Sequence, residues 1–181
     1  KRHGAPVAFN RRLRRLGFDS ERLATLDFGD GSIEIPDGDN VILAVPPLVA
    51  AELVPGLETP TDSRAIVNAH FCLAEQAQEV SFFGLVGGTA QWLFIRGDIV
   101  SVTVSAANKL ASQPAERIAE RLWSEVATAL DLGNAELGPY RIVKEKRATF
   151  AQTPEQVRRR PGARTRWCNL HLAGDWTDTG L

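Results

Sequence analysis

The stretch with the densest chemistry lies near the carboxyl end: Asn169-Leu-His-Leu-Ala-Gly-Asp-Trp-Thr-Asp-Thr-Gly180. The apolar run Trp167 to Ala173 reads as a strand that ends in Ala173-Gly174-Asp175, and ligands of open α/β sheets sit at the carboxyl ends of strands. Gly174 permits close backbone approach, and the Asp175 carboxylate accepts hydrogen bonds from ribose or ribityl hydroxyls. By itself a Gly-Asp turn is a common feature, so the rest of the chain has to supply the context.

Other residue groups invite chemistry and carry it less far. His70-Phe-Cys72 and Cys168-Asn-Leu-His171 hold two Cys and two His. A closed zinc site needs four such ligands converging on one point. On strands, Cys168 and His171 point to opposite faces and neither pair has knuckle spacing, so no metal site is expected. No serine or cysteine stands in a nucleophile-elbow context. Arg158-Arg-Arg160, Arg164 and Arg166 form a basic run beside Trp167. It reads first as a solvated loop, and then as a contact for anionic lipid headgroups or a nucleotide phosphate. No nucleic-acid motif accompanies it and the net charge is −1, so nucleic acid is not an expected partner. Phe71, Phe82, Phe83, Trp92 and Phe94 cluster on what read as middle strands. An antiparallel sheet buries one face, so most of these are core, and any on the other face would wall a channel for a long apolar ligand.

The elements that must position these groups are short. Pro6 to Phe9, Arg11 to Phe18 and Arg22 to Phe28 read as strands. Asp30-Gly31 reads as a hairpin turn because glycine accepts positive φ, and Ile33 and Ile35 alternate on the return strand. Asn40 to Val45 is a continuous apolar run ended by Pro46-Pro47, as in a parallel strand buried on both faces. Leu48 to Val54 reads as a short helix. Pro60-Thr-Asp-Ser63 is a boundary, followed by β-like segments at Ala65 to Leu73, Val80 to Val86, Gln91 to Ile95 and Ile99 to Val104, an antiparallel meander. Pro114 to Leu130 is the clear helix, with Ile118, Leu122, Val126 and Leu130 on one stripe and Gly133 as its stop. Tyr140 to Phe150 is strand-like, and Gln152 to Arg166 is polar and basic.

The bulk composition bounds the class. The 181 residues are 44% apolar and 24% charged, as in an ordinary globular domain or two small ones. No apolar run reaches the roughly 20 residues of a membrane-spanning helix, and Lys1-Arg2-His3-Gly4 leads into no signal-peptide core. Two cysteines suggest no disulfide framework, so a reducing compartment, the cytoplasm, is the default. There is no methionine at all, which predicts a processed or partial chain.

Taken together these stretches resemble a known family. "NLHLAGDWTDTGL" closely resembles the carboxyl-terminal flavin motif of the FAD-dependent amine oxidase and phytoene desaturase superfamily. Its wording is most similar to the branch of squalene-associated FAD-dependent desaturases, the hydroxysqualene dehydroxylases. "VILAVPP", "RAIVNAHF", "VGGTAQWLF", "SVTVSAAN", "IVKEKRATFAQTP" and "RRPGARTRWCNLHLAGDWTDTGL" resemble further segments of that branch. The family's Gly-x-Gly-x-x-Gly turn is not among these residues, so the chain resembles the middle and late part of a longer enzyme.

The resemblance implies a mixed α+β and α/β fold. An antiparallel substrate-binding sheet with a helix, residues 61–137, would be flanked by segments of a Rossmann-like FAD-binding domain, 1–60 and 138–181. It implies that Asp175, with Gly174, Trp176 and Thr177, contacts the FAD ribityl or phosphate region, and that Leu13 offers its backbone to the adenine. It implies an isoprenoid substrate on the sheet that carries Phe71, Phe82, Phe83, Trp92 and Phe94, and reductive dehydroxylation of hydroxysqualene to squalene in hopanoid biosynthesis. The remainder of its own polypeptide would be a partner, an apolar substrate implies peripheral contact with a membrane, and the chain alone would be inactive. No residue is assigned a catalytic role. The rival readings are a phytoene-type desaturase or amine oxidase of the same superfamily, and a non-catalytic module that binds an apolar ligand.

Overall fold

The computed structural model describes residues 4–74 and 80–180; the charged amino-terminal residues 1–3 and the final Leu181 lie outside the described residues. The chain is a mixed α/β protein of two compact units, residues 1–61 with 152–181 and residues 62–151.

The first unit holds a three-stranded antiparallel sheet, β1 (Arg15–Asp19), β2 (Arg22–Asp27) and β3 (Ser32–Glu34), in the order β1-β2-β3. The β2–β3 turn has a different geometry from the one Asp30-Gly31 suggests. Gly29 takes the positive φ of 85°, while its amide donates to the Asp27 carboxylate at 2.7 Å. No strand forms over residues 6–9: Val7 and Phe9 stay exposed, and Asn10 turns the chain with a φ of 60° before any partner is met.

Two further strands of this unit, β4 (Val41–Leu43) and β10 (Leu170–Leu172), pair in parallel with Leu43 opposite Leu172. The expected parallel strand is therefore present but short, and it is not buried on both faces. Ile42 is 69% exposed, because the second strand face has no described layer over it. Helix α1 (Pro47–Leu53) follows β4, with Pro47 pre-setting φ in its first turn. Helix α4 (Pro154–Arg158) is capped by the Thr153 hydroxyl, which accepts from the Gln156 amide at 3.4 Å. Leu23, Leu43, Val54, Leu170, Leu172 and Trp176 are buried here, and Trp167 stacks on Phe18 at 4.0 Å between ring centroids.

The second unit is a five-stranded antiparallel sheet of β5 (Ser63–Cys72), β6 (Ser81–Gly84), β7 (Trp92–Arg96), β8 (Ile99–Val104) and β9 (Tyr140–Phe150), ordered β6-β7-β8-β5-β9. One face carries Val67, Ala69, Phe71, Leu93, Val100 and Val102. Helix α3 (Ala115–Ala129) presses Ile118, Ala119, Leu122, Trp123 and Val126 onto that face. Strand alternation and a helical period of 3.6 thus meet in one core. A four-residue helix, α2 (Asn108–Ala111), precedes α3 and has no clear sequence signal; Asn108 at its start accepts the Ala65 amide at 2.9 Å.

Candidate functional site

The turn after β10 is built around one indole. The Ala173 amide donates to the Leu43 carbonyl at 3.1 Å and extends the parallel pairing by one rung. Gly174 then takes a φ of 154°, and a Cβ there would lie 2.5 Å from Trp176 Nε1 and 2.8 Å from its Cδ1. Glycine is required because the indole occupies the place of its side chain. Trp176 is buried and its Nε1–H donates to the Val45 carbonyl, just past β4, at 3.0 Å. A single ring therefore ties the carboxyl ends of both parallel strands together.

Thr177 closes the turn from the other side. Its amide and hydroxyl both donate to the Gly174 carbonyl, at 3.2 and 2.7 Å. The Arg160 guanidinium donates to the Thr177 carbonyl at 2.5 Å, and the Asp178 amide donates to Pro161 at 2.7 Å. Trp176 and Thr177 thus face inward, with the indole N–H and the threonine hydroxyl proton both engaged within the protein. Gly174 and Asp175 are left exposed at the tip, beyond the carboxyl ends of two parallel strands.

Asn169, which opens the motif without a role of its own in the sequence, holds a central position. It is buried; its Oδ1 accepts the Leu23 amide at 2.8 Å and its Nδ2 donates to the Leu23 carbonyl at 2.9 Å. Its own carbonyl accepts the Val41 amide at 2.8 Å. One residue joins the antiparallel sheet to the parallel pair. The available signal is an amide inside the apolar run Trp167 to Ala173, since a buried amide must find partners.

The basic run is only partly a solvated loop. Arg160 supports the turn, Arg159 pairs with Glu155 at 3.2 Å, and the Arg166 guanidinium lies 4.2 Å from the Trp167 ring centroid. Leu13 lies outside the strands, two residues before β1, and is half-buried. Among the described residues, no group of three or more His, Cys, Asp or Glu could hold a metal ion. His70 and Cys72 belong to one unit, Cys168 and His171 to the other.

In the second unit, strand alternation divides the five aromatic candidates. Phe71 is 1% exposed and packs against Trp123 at 5.4 Å between centroids, and Phe83 packs half-buried against the same core. These two serve the helix-covered face, as expected of most of the five aromatics. Phe82, Trp92 and Phe94 stand on the opposite, open face at 65, 46 and 47% exposure, with Phe82 and Phe94 stacked at 5.7 Å. The register continues this face as the rung Phe82, Phe94, Ser101, His70, Arg141 and the rung Gly84, Trp92, Thr103, Asn68, Val143. His70 Nδ1 and Ser101 Oγ are 2.8 Å apart, and the Thr103 hydroxyl donates to Asn68 Oδ1 at 2.7 Å. The face is aromatic at one edge and polar in the middle.

The curated hydroxysqualene dehydroxylase of Sinorhizobium fredii is 46% identical over 181 residues, covering 100% of this chain and 43% of that protein. The one of Rhodopseudomonas palustris is 45% identical over 179 residues, covering 98% and 43%, and that of Zymomonas mobilis is 41% identical, covering 100% and 44%. The chain thus spans less than half the length of these relatives. Among solved structures, an Exiguobacterium sp. 255-15 protein provisionally assigned as a protoporphyrinogen oxidase has a similar fold. Its TM-score is 0.64 at 14% identity, covering 92% of this chain and 42% of that one. The family model described as flavin containing amine oxidoreductase matches residues 1–181, the whole length of the sequence. A match of that extent settles membership: the chain belongs to the flavin-containing amine oxidoreductase family.

Proposed function

We propose that this chain is part of an FAD-dependent oxidoreductase that converts hydroxysqualene to squalene in hopanoid biosynthesis. The observation that carries the reading is the turn at Gly174-Asp175, a carboxylate held outward at the carboxyl ends of β4 and β10. FAD is the cofactor that family membership implies, and the residues present fit one edge of it. An exposed carboxylate accepts hydrogen bonds from ribityl or ribose hydroxyls, and Gly174 admits a ligand close to the backbone. Trp176 and Thr177 hold that carboxylate in place, and Leu13 keeps the role of backbone contact for the adenine end.

When bound, FAD supplies the two-electron chemistry. The reaction replaces a C–OH by a C–H, and the hydroxyl leaves as water. The chain's own residues would bind and orient the hydrocarbon and keep water from it; Phe82, Trp92 and Phe94 offer the apolar surface for that. The substrate class rests on the printed names of the three relatives. Among the described residues, no helix is long and apolar enough to cross a membrane. A cytoplasmic enzyme meeting its substrate at the membrane surface fits both observations.

The test is product analysis of the flavin-loaded protein that contains this chain, supplied with hydroxysqualene and a reductant for the flavin. Squalene is the expected product. Turnover of the flavin without squalene rejects the reading, and oxidation of a carotenoid precursor in its place supports a desaturase.

A further inference from the structure

We infer that the open face of the second unit's sheet reads its ligand by a single hydroxyl. His70 and Ser101 hold that hydroxyl, while Phe82, Trp92 and Phe94 hold the hydrocarbon next to it. The inference rests on the proposed function for the choice of an isoprenoid alcohol, and on the two rungs for the residues.

The geometry separates the two chemistries by strand. Adjacent strands lie about 4.8 Å apart, so Phe94 is one strand and Phe82 two strands from Ser101, a span of about 10 Å. The stacked pair of Phe82 and Phe94, with Trp92 on the next rung, gives a continuous aromatic patch of that width. The patch ends at polar side chains. Ser101, Thr103, Asn68 and His70 fill the next two strands, and they are tied in cross-strand pairs that hold their rotamers.

The two pairs differ in what they leave over. Asn68 and Thr103 bond through the amide oxygen and the hydroxyl proton. His70 bonds Ser101 through Nδ1, and its Nε2 makes no hydrogen bond to a described residue. A serine hydroxyl has one donor and two acceptor sites, so one partner does not saturate it. The pair can therefore donate to an incoming alcohol and accept from it, while the hydrocarbon beside that alcohol lies on Phe94. A site built to hydrogen-bond a hydroxyl discriminates against the analogue that lacks it, because its polar groups are then covered and unpaired. Applied here, the face favours the alcohol over its dehydroxylated hydrocarbon and so favours release of the product.

Arg141 ends the rung beyond His70 and makes a charged headgroup the competing ligand. An uncharged hydroxyl is preferred because it can both donate to and accept from the His70–Ser101 pair beside the aromatic patch, whereas Arg141 stands one strand further out.

The experiment compares hydroxysqualene, squalene and a long-chain fatty acid, each in the same detergent micelle. Binding to the flavin-loaded protein that contains this chain is read from the flavin absorbance. The wild type is expected to bind the alcohol roughly tenfold more tightly than the hydrocarbon, the worth of one or two hydrogen bonds. His70→Phe and Ser101→Ala should bring that ratio close to one without weakening squalene binding. His70→Gln should keep part of it, and Phe94→Ala should weaken both ligands alike. In turnover, Ser101→Ala should raise KM more than it lowers kcat. A wild-type preference that survives both His70→Phe and Ser101→Ala overturns the inference, as does a fatty acid that outcompetes the alcohol through Arg141. If wild type makes no squalene and yet shows the His70-dependent preference, the proposed function fails and this assignment stands.

Discussion

Replacing Gly174 by alanine puts a methyl carbon where the Trp176 indole already sits. The added Cβ would lie 2.5 Å from Nε1 and 2.8 Å from Cδ1, about 1 Å inside the contact distance of about 3.5–4.0 Å. The indole has to retreat by about that much, which lengthens its 3.0 Å bond to the Val45 carbonyl beyond hydrogen-bonding range. Overpacking a filled site costs about 1–3 kcal/mol, and a lost hydrogen bond about 1 kcal/mol more. Alanine at a φ of 154° adds about 1 kcal/mol of backbone strain. The expected loss is about 3–5 kcal/mol. Trp176→Phe also loses the bond to Val45, but it removes the atom that clashes most. The double variant should therefore be less damaged than the sum of the single ones, with a coupling of about 1–3 kcal/mol. Urea denaturation of the four proteins, followed by tryptophan fluorescence and confirmed by circular dichroism, measures the cycle. A Gly174→Ala protein as stable as wild type, or strict additivity, would refute the account of this turn.

Other outcomes follow from the same geometry. Asn169→Ala removes both partners of the buried Leu23 peptide groups and should cost about 2–4 kcal/mol in urea denaturation; a loss under about 1 kcal/mol would show that water replaces the amide. Glu125→Ala frees the Ala90 amide, which donates to Glu125 Oε2 at 2.6 Å. Hydrogen exchange at Ala90 should speed up by roughly 10-fold or more, while Glu125→Gln keeps most of the protection. Asp175→Ala should lower the flavin that co-elutes on gel filtration and leave the apoprotein's denaturation midpoint unchanged, because the side chain is exposed. Unchanged flavin content would remove Asp175 from the cofactor site.

The elements that could be read from the sequence are those with a strong period. The alternation of Ala65, Val67, Ala69 and Phe71 marks β5, and the stripe Ile118, Leu122, Val126 marks α3; both are present, α3 running from Ala115 to Ala129. Period alone says that one face of a strand is buried and does not say which aromatic residues share it across strands. That depends on register, and the register opposite Ser101 is what puts Phe94 on the open face, while Phe71 lies opposite Val100 on the core face. Residues 6–9 fail for a related reason: a strand needs a partner, and local propensity cannot supply one. At the β2–β3 turn, three candidate positions lie between Phe28 and Ser32, and the Asp27 carboxylate favours Gly29 by accepting its amide.

The carboxyl-terminal motif shows what residue type alone leaves open: which polar groups of a turn are spent inside it. Gly174, Trp176 and Thr177 have the chemistry of a contact surface: an open backbone, an indole N–H and a hydroxyl. In the fold the indole fills the place of the missing Gly174 side chain while that glycine's backbone stays exposed, and the Trp176 N–H and Thr177 hydroxyl are directed inward, to Val45 and to the Gly174 carbonyl. Arg160 holds the same turn from outside the motif, and Asn169 anchors the strand that leads into it. Five residues therefore fix the position of one exposed carboxylate. In the proposed flavin site that division would keep the ligand contact from moving, because a turn that is already ordered need not be ordered again on binding. If Asp175 makes the proposed flavin contact, loss of flavin in a Trp176 or Thr177 variant would reflect a displaced Asp175, and only a variant of Asp175 itself tests that contact.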